Sequence, residues 1–110
     1  MGSMVIFHYL AGNPIDTDEM MNVMMPLRFA DYARADYFNQ LMLDGKYVPA
    51  YVIQSDDLAV AFDCGNGYVP KGTECLELAN ASHKSTSVGD IVVVNGTRKM
   101  LVMPVGFEEI

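Results

Sequence analysis

Asp90-Ile91-Val92-Val93-Val94-Asn95-Gly96-Thr97-Arg98-Lys99-Met100-Leu101-Val102 is the stretch that decides the fold class. Two β-rich runs flank Asn95-Gly96, the dipeptide preferred in a type I′ hairpin turn because both residues tolerate positive φ. Gly89-Asp90 supplies a turn ahead of the first run. After the second run, Val105-Gly106-Phe107-Glu108-Glu109-Ile110 alternates enough to form a terminal strand. This hairpin region is expected to be structural, not an appended tail, with Val92, Val94 and Phe107 buried.

Working outward, Tyr47 to Gln54 and Leu58 to Phe62 read as short strands joined by the turn Ser55-Asp56-Asp57. Cys64-Gly65-Asn66-Gly67 reads as a turn cluster, residues 68–74 as a loop, Cys75 to Ala79 as a further short strand, and Asn80 to Thr86 as a polar loop. At the start of the chain, Met4 to Leu10 is a β-branched and aromatic run closed by Ala11-Gly12-Asn13-Pro14. Apart from His8 its residues are apolar or aromatic, so it belongs inside a sheet with both faces largely covered. Asp16 and Glu19 have capping-box spacing and open a helix that carries Met20, Met21, Val23, Met24 and Met25, and Pro26 ends or kinks it. A second helix is expected from about Leu27 to Leu43, with Ala30, Ala33, Tyr37 and Leu41 on one stripe flanked by Phe38 and Met42, and Asp44-Gly45 as its stop. The pattern predicts an α+β domain. Two helices pack on an antiparallel sheet of five to six strands, open or barrel-like, that ends in the C-terminal β-hairpin.

The chain has 110 residues, which fits one domain, and just over half of them are apolar. Met1-Gly2-Ser3 precedes a second methionine and reads as an expression scar, leaving 4–110 as the single domain. Fourteen acidic against seven basic residues give a net charge of −7. Direct binding to nucleic acid or to an anionic membrane needs a basic stripe, and Arg98-Lys99 is too small to be one. No apolar run approaches the roughly 20 residues that span a bilayer. With no basic segment ahead of the first apolar run, a cytoplasmic location is expected. Cys64 and Cys75 are then expected to be free thiols.

The segment Ser85-Thr86-Ser87-Val88-Gly89-Asp90-Ile91-Val92-Val93-Val94, followed by a turn and Val105-Gly106-Phe107-Glu108-Glu109-Ile110, resembles the C-terminal signature of YodL-like small domains. These occur in phages and bacterial mobile elements, some beside anti-restriction modules. The resemblance covers the last quarter of the chain. The family usually carries aromatic residues on the returning strand, where Lys99-Met100-Leu101-Val102-Met103 stands here. What the resemblance implies is provenance in a phage or mobile element, with no catalytic mechanism to carry over.

Side chains that could carry chemistry are few. Asp16, Asp18 and Glu19, and farther on Asp56, Asp57 and Asp63, lack the loop length and distant glutamate of a calcium-binding loop. Capping and turn chemistry account for them, and no metal or cofactor is expected. His8 sits among apolar residues and reads as a satisfied core or edge residue. His83, in a polar loop, would suit acid–base work only with a partner such as Cys64 or Cys75. Ser82, Ser85, Thr86 and Ser87 form a hydroxyl cluster without a P-loop pattern, and Gly65-x-Gly67 is too isolated for a nucleotide site.

Nine methionines are unusual at this length. They can fill irregular core gaps or build an adaptable surface. At 100° per residue, Met20, Met21, Met24 and Met25 point in nearly every direction around a short helix, so part of it must be covered by something else. These four residues are the expected partner-binding site. The expected function is a non-enzymatic protein-binding module of a phage or mobile element, acting on a host or self-encoded protein, with a homo-oligomer as the simplest contact. An acidic nucleic-acid mimic that blocks a host DNA-binding protein is the alternative, and a small enzyme of unknown reaction a second one.

Overall fold

The computed structural model of the chain describes residues 2–10, 16–78 and 85–110. Its centre is an open six-stranded antiparallel sheet in the order β3-β2-β1-β4-β5-β6. The strands are β1 (Met4–Tyr9), β2 (Tyr47–Ile53), β3 (Cys75–Glu77), β4 (Ile91–Val94), β5 (Arg98–Val102) and β6 (Phe107–Glu109). The helices are α1 (Thr17–Met24), α2 (Asp31–Leu43) and α3 (Leu58–Gly65), with a 3₁₀ turn at Pro26–Arg28.

The decisive hairpin forms as the sequence indicates. Asn95 has φ 54° and Gly96 φ 74°, and β4 pairs with β5 from Val94↔Arg98 to Ile91↔Leu101. Val92 and Val94 are buried, while Phe107, paired with Val102 across β5 and β6, is half-buried. The backbone of Ser3, set aside as part of a scar, pairs with Asn95 at the turn (Asn95 N to Ser3 O, 2.7 Å).

Alternation along each strand distributes side chains to two apolar faces. Met4 and Ile6 of β1, Val92 and Val94 of β4, and Met100 and Val102 of β5 join Ala61 and Cys64 of α3 in one core. The odd-numbered neighbours Phe7, Ile91 and Leu101 join Val23 of α1 and Phe38 and Leu41 of α2 in the other. The sheet is therefore a middle layer, which explains why β1 and β4 read as nearly continuous apolar runs. It also corrects the barrel-like option. With helices covering both faces, the sheet encloses no interior, and β3 and β6 stay at opposite edges.

Residues 58–62 are helical, where a strand was expected, so the described residues hold three helices instead of two. The cluster Ser55-Asp56-Asp57 is a helix cap and not a hairpin turn: Asp57 Oδ1 accepts from Ala59 N at 2.9 Å. Leu58-Ala59-Val60-Ala61-Phe62 has no alternation, and short apolar runs read either way by periodicity. Its alanines favour the helix, and the cap settles it. The predicted turn at 64–67 is the last turn of α3 and its exit.

Asp16 caps α1 as its spacing suggested, accepting from Glu19 N at 3.1 Å. Pro26 ends α1 and opens the 3₁₀ turn, so α2 begins at Asp31, later than the expected Leu27. Its buried face runs through Arg34, Phe38 and Leu41, so Leu41 and the flanking Phe38 are as anticipated, while Arg34 replaces Ala30, Ala33 and Tyr37 as the rest of the buried face. Gly45, with φ 75°, follows α2 as its stop. Pro49 is accommodated within β2 because the register with β1 shifts between Ile6 and Phe7, placing it beside an irregularity.

Candidate functional site

Helix α1 and its C-cap residue Met25 carry the anticipated methionines, and the structure separates their roles. Val23 alone in the helix is buried. Met20 is half-buried, while Met21, Met24 and Met25 are 42%, 58% and 51% exposed. Leu27, in the next turn, extends the apolar surface at 65%. Glu19 orients this helix on the sheet. Its carboxylate accepts from the Tyr9 hydroxyl and pairs with Lys46 Nζ at 3.5 Å. Burial, then that contact with Glu19, raises the Tyr9 hydroxyl well above the usual phenol range. Two sides of the surface are hollowed. A cleft of about 390 Å³ lies between Tyr9, Met20, Val23, Met24, Val88 and Asp90. Another of about 390 Å³ runs from Leu27 past Arg34 to Val105 and Glu108.

Arg34, buried on α2, holds the second cleft together. Its guanidinium donates to the carbonyls of Pro26 and Phe29, both at 3.0 Å, to Asp31 at 3.1 Å, and to Glu108 of β6. A single cation thereby ties the 3₁₀ turn, the start of α2 and the last strand. The apolar stripe expected for this helix leaves Arg34 out. Its spacing of four from Phe38 is the signal that could have found it.

The segment Thr86–Asp90 crosses between the two helical layers. Thr86 N donates to Gly65 O at the end of α3 (2.9 Å), and a Cβ at Gly65 would overlap the Thr86 side chain. Gly89, with φ 93°, lies against Val23 of α1 so closely that a Cβ would overlap its side chain and carbonyl oxygen. Between these two contacts Ser87 and Val88 wall both the α1 cleft and one of about 520 Å³ beside Phe62, Asp63 and Phe107.

Three buried polar side chains meet here, the strap's own Thr86 and Asp90 and His8 of β1. Asp90 Oδ1 accepts from Tyr9 N at 2.9 Å and its Oδ2 from Ser87 N at 2.8 Å. His8 Nε2 is 3.0 Å from Thr86 Oγ1 and 4.0 Å from Asp90 Oδ2. The neighbouring Tyr47 hydroxyl donates to Gly89 O, and burial, then the charge of Asp90, raises it far above the usual phenol range. The residue types invite comparison with a nucleophile–histidine–acid triad, but the geometry is different. A triad places nucleophile and acid on opposite ring nitrogens, whereas Thr86 and Asp90 both approach Nε2. All three side chains are also at most 4% exposed. The cluster fastens the strap.

His83 and Ser82 lie outside the described residues. Ser85 is exposed, and Thr86 and Ser87 serve the strap. Cys64 and Cys75 are free thiols. Asp16 and Asp57 act as helix caps, and among the described residues no three His, Cys, Asp or Glu side chains are grouped to hold a metal ion. No described helix is long and apolar enough to cross a membrane. The fold and site thus define an α+β protein, an open antiparallel sheet layered between helices, with an exposed methionine surface at one end of a buried polar strap. No family model, curated protein or solved structure matches this chain.

Proposed function

We propose that this chain is a non-enzymatic protein-binding module that engages its partner through the methionine surface of α1. The observation that carries the reading is the exposure of Met21, Met24, Met25 and Leu27 on consecutive turns. Apolar side chains grouped in this way mark contact sites more often than scattered ones do. Methionine suits such a surface because its unbranched thioether repacks against different partners. Provenance in a phage or mobile element, with action in the host cytoplasm on a host or self-encoded protein, rests on the YodL-like resemblance of residues 85–110. Self-association is the simplest form of the contact, since a symmetric pair covers the same patch on both copies.

A photo-crosslinking amino acid at position 24, in the bacterial cytosol and in purified protein, tests this. The expected result is one dominant crosslinked species, either the chain with itself or with a single protein, that disappears in Met21→Glu plus Met25→Glu. A folded protein that remains a monomer by light scattering and yields no specific crosslink would overturn the proposal. A crosslinked DNA-binding protein that DNA competes away would favour the acidic-mimic reading.

A further inference from the structure

We propose that Cys64 and Cys75 are a dithiol pair that closes reversibly to an intramolecular disulfide on reaction with low-molecular-weight disulfides. The two residues come from different elements. Cys64 is in the last turn of α3 and buried, and Cys75 opens the edge strand β3, half-buried. Cys75 packs against the core cluster that contains Cys64, and each thiol lies near enough to perturb the proton affinity of the other. Both positions are held from outside the pair. Cys75 is paired with buried Ile53 across β2, Gln54 N donates to Glu74 O at 2.9 Å beside it, and Ala61 anchors α3 on the sheet one turn before Cys64. Two thiols held in one packed cluster by elements anchored on the same sheet are placed to bond with little movement of the backbone, which is the usual obstacle to a disulfide.

Their unequal exposure sets the order of events. Cys75, the accessible thiol, attacks one sulfur of the small disulfide as its thiolate. The small S–S bond breaks, one small thiol leaves with a proton, and a mixed disulfide forms on Cys75. Cys64, losing its proton, attacks the Cys75 sulfur and expels the second small thiol. Two protein thiols are oxidised and one small disulfide is reduced to two thiols. Burial pushes the Cys64 thiol up to about 11 and raises Cys75 as well. Both stay protonated at neutral pH, so closure is slow there and accelerates as pH rises from 7 to 9. The bond would lock the loop of residues 65–74 and pin the edge strand to α3.

The 110-residue chain is treated with oxidised glutathione at pH 8.5 and followed by intact mass and non-reducing peptide mapping. The expected product has lost two hydrogens, carries the Cys64–Cys75 crosslink, holds no glutathione and melts about 10 °C higher than the reduced protein. Cys64→Ala should stop at a glutathione adduct on Cys75. A measurement on unsubstituted protein stands independently of that variant: one equivalent of phenylarsine oxide, which bridges only adjacent thiols, should protect both cysteines from alkylation. Persistent glutathione adducts on the unsubstituted chain, disulfides between chains, or cysteines that remain separately alkylatable after phenylarsine oxide would each overturn the proposal.

Discussion

Asp90 is the residue on which the strap depends. Its buried carboxylate answers two backbone N–H groups, Tyr9 N at 2.9 Å and Ser87 N at 2.8 Å. Asp90→Ala would remove the charged acceptor of two part-buried N–H groups, and a loss of roughly 2 kcal/mol is expected from the urea midpoint. Asp90→Asn should recover little of it, because an amide NH₂ on either side would face a donor. Tyr47 gives a pH signature. Its folded-state hydroxyl is raised above the ordinary value of 10.0 by burial and by Asp90. The stability it contributes is therefore fully present below about pH 10 and is lost as pH rises beyond that. Urea titrations from pH 8 to 11.5 should show stability falling above pH 10. Tyr47→Phe should flatten that fall while losing about 1 kcal/mol at pH 8 with the bond to Gly89 O. In the sequence Asp90 was visible only as half of a turn dipeptide. Its capping of a distant strand, 81 residues away at Tyr9, has no local signature.

Among the elements, the β4–β5 hairpin and β1 were legible because their signals are local: Asn-Gly at the turn, and β-branched residues on either side. Helix α3 was not. Its apolar run lacks a decisive period, and the aspartates before it serve turns and caps equally well. The start of α2 was misjudged for a different reason. Pro26 imposes a 3₁₀ turn, and the helix begins only at Asp31, with Arg34 of its first turn bonded back to Pro26 O and Phe29 O. Gly89 is where two elements meet most closely. Gly89→Ala places a Cβ on Val23 and a side chain at φ 93°, so α1 must move. A loss of more than about 2 kcal/mol is expected by thermal or urea unfolding. Since the displaced helix carries the methionines, partner crosslinking at position 24 should weaken in the same variant even at temperatures where it remains folded.

For the molecule as a whole, the apolar residues exceed what one core can absorb, and two layers of helix take up the excess on either side of the sheet. What remains outside is the surface around Met21, Met24, Met25 and Leu27. Because these side chains are exposed within the chain, Met21→Glu plus Met25→Glu should change unfolding stability by less than about 0.5 kcal/mol per site. Any association of the purified protein should nonetheless be lost by light scattering. A large destabilisation in the double variant would mean that these methionines belong to the core. The candidate surface was legible to this extent: helical geometry forbids burying all of Met20 to Met25 in one direction. Which of them face water could not be read from the sequence, since that depends on how Glu19 seats the helix against Tyr9 and Lys46.

The sequence by itself determined the α+β class, the antiparallel hairpin with its Asn95-Gly96 turn, the capped start of α1 and the covered character of β1. Each rests on propensities and φ preferences that act within a few residues. Only the tertiary structure decided that the sheet stays open, that helices cover both of its faces, and that Arg34 and Asp90 are buried fasteners. These outcomes are set by contacts between segments far apart in the chain. Burial decides there between local alternatives of nearly equal energy, and it converts ordinary surface residue types into the partners of backbone groups that would otherwise be left without water.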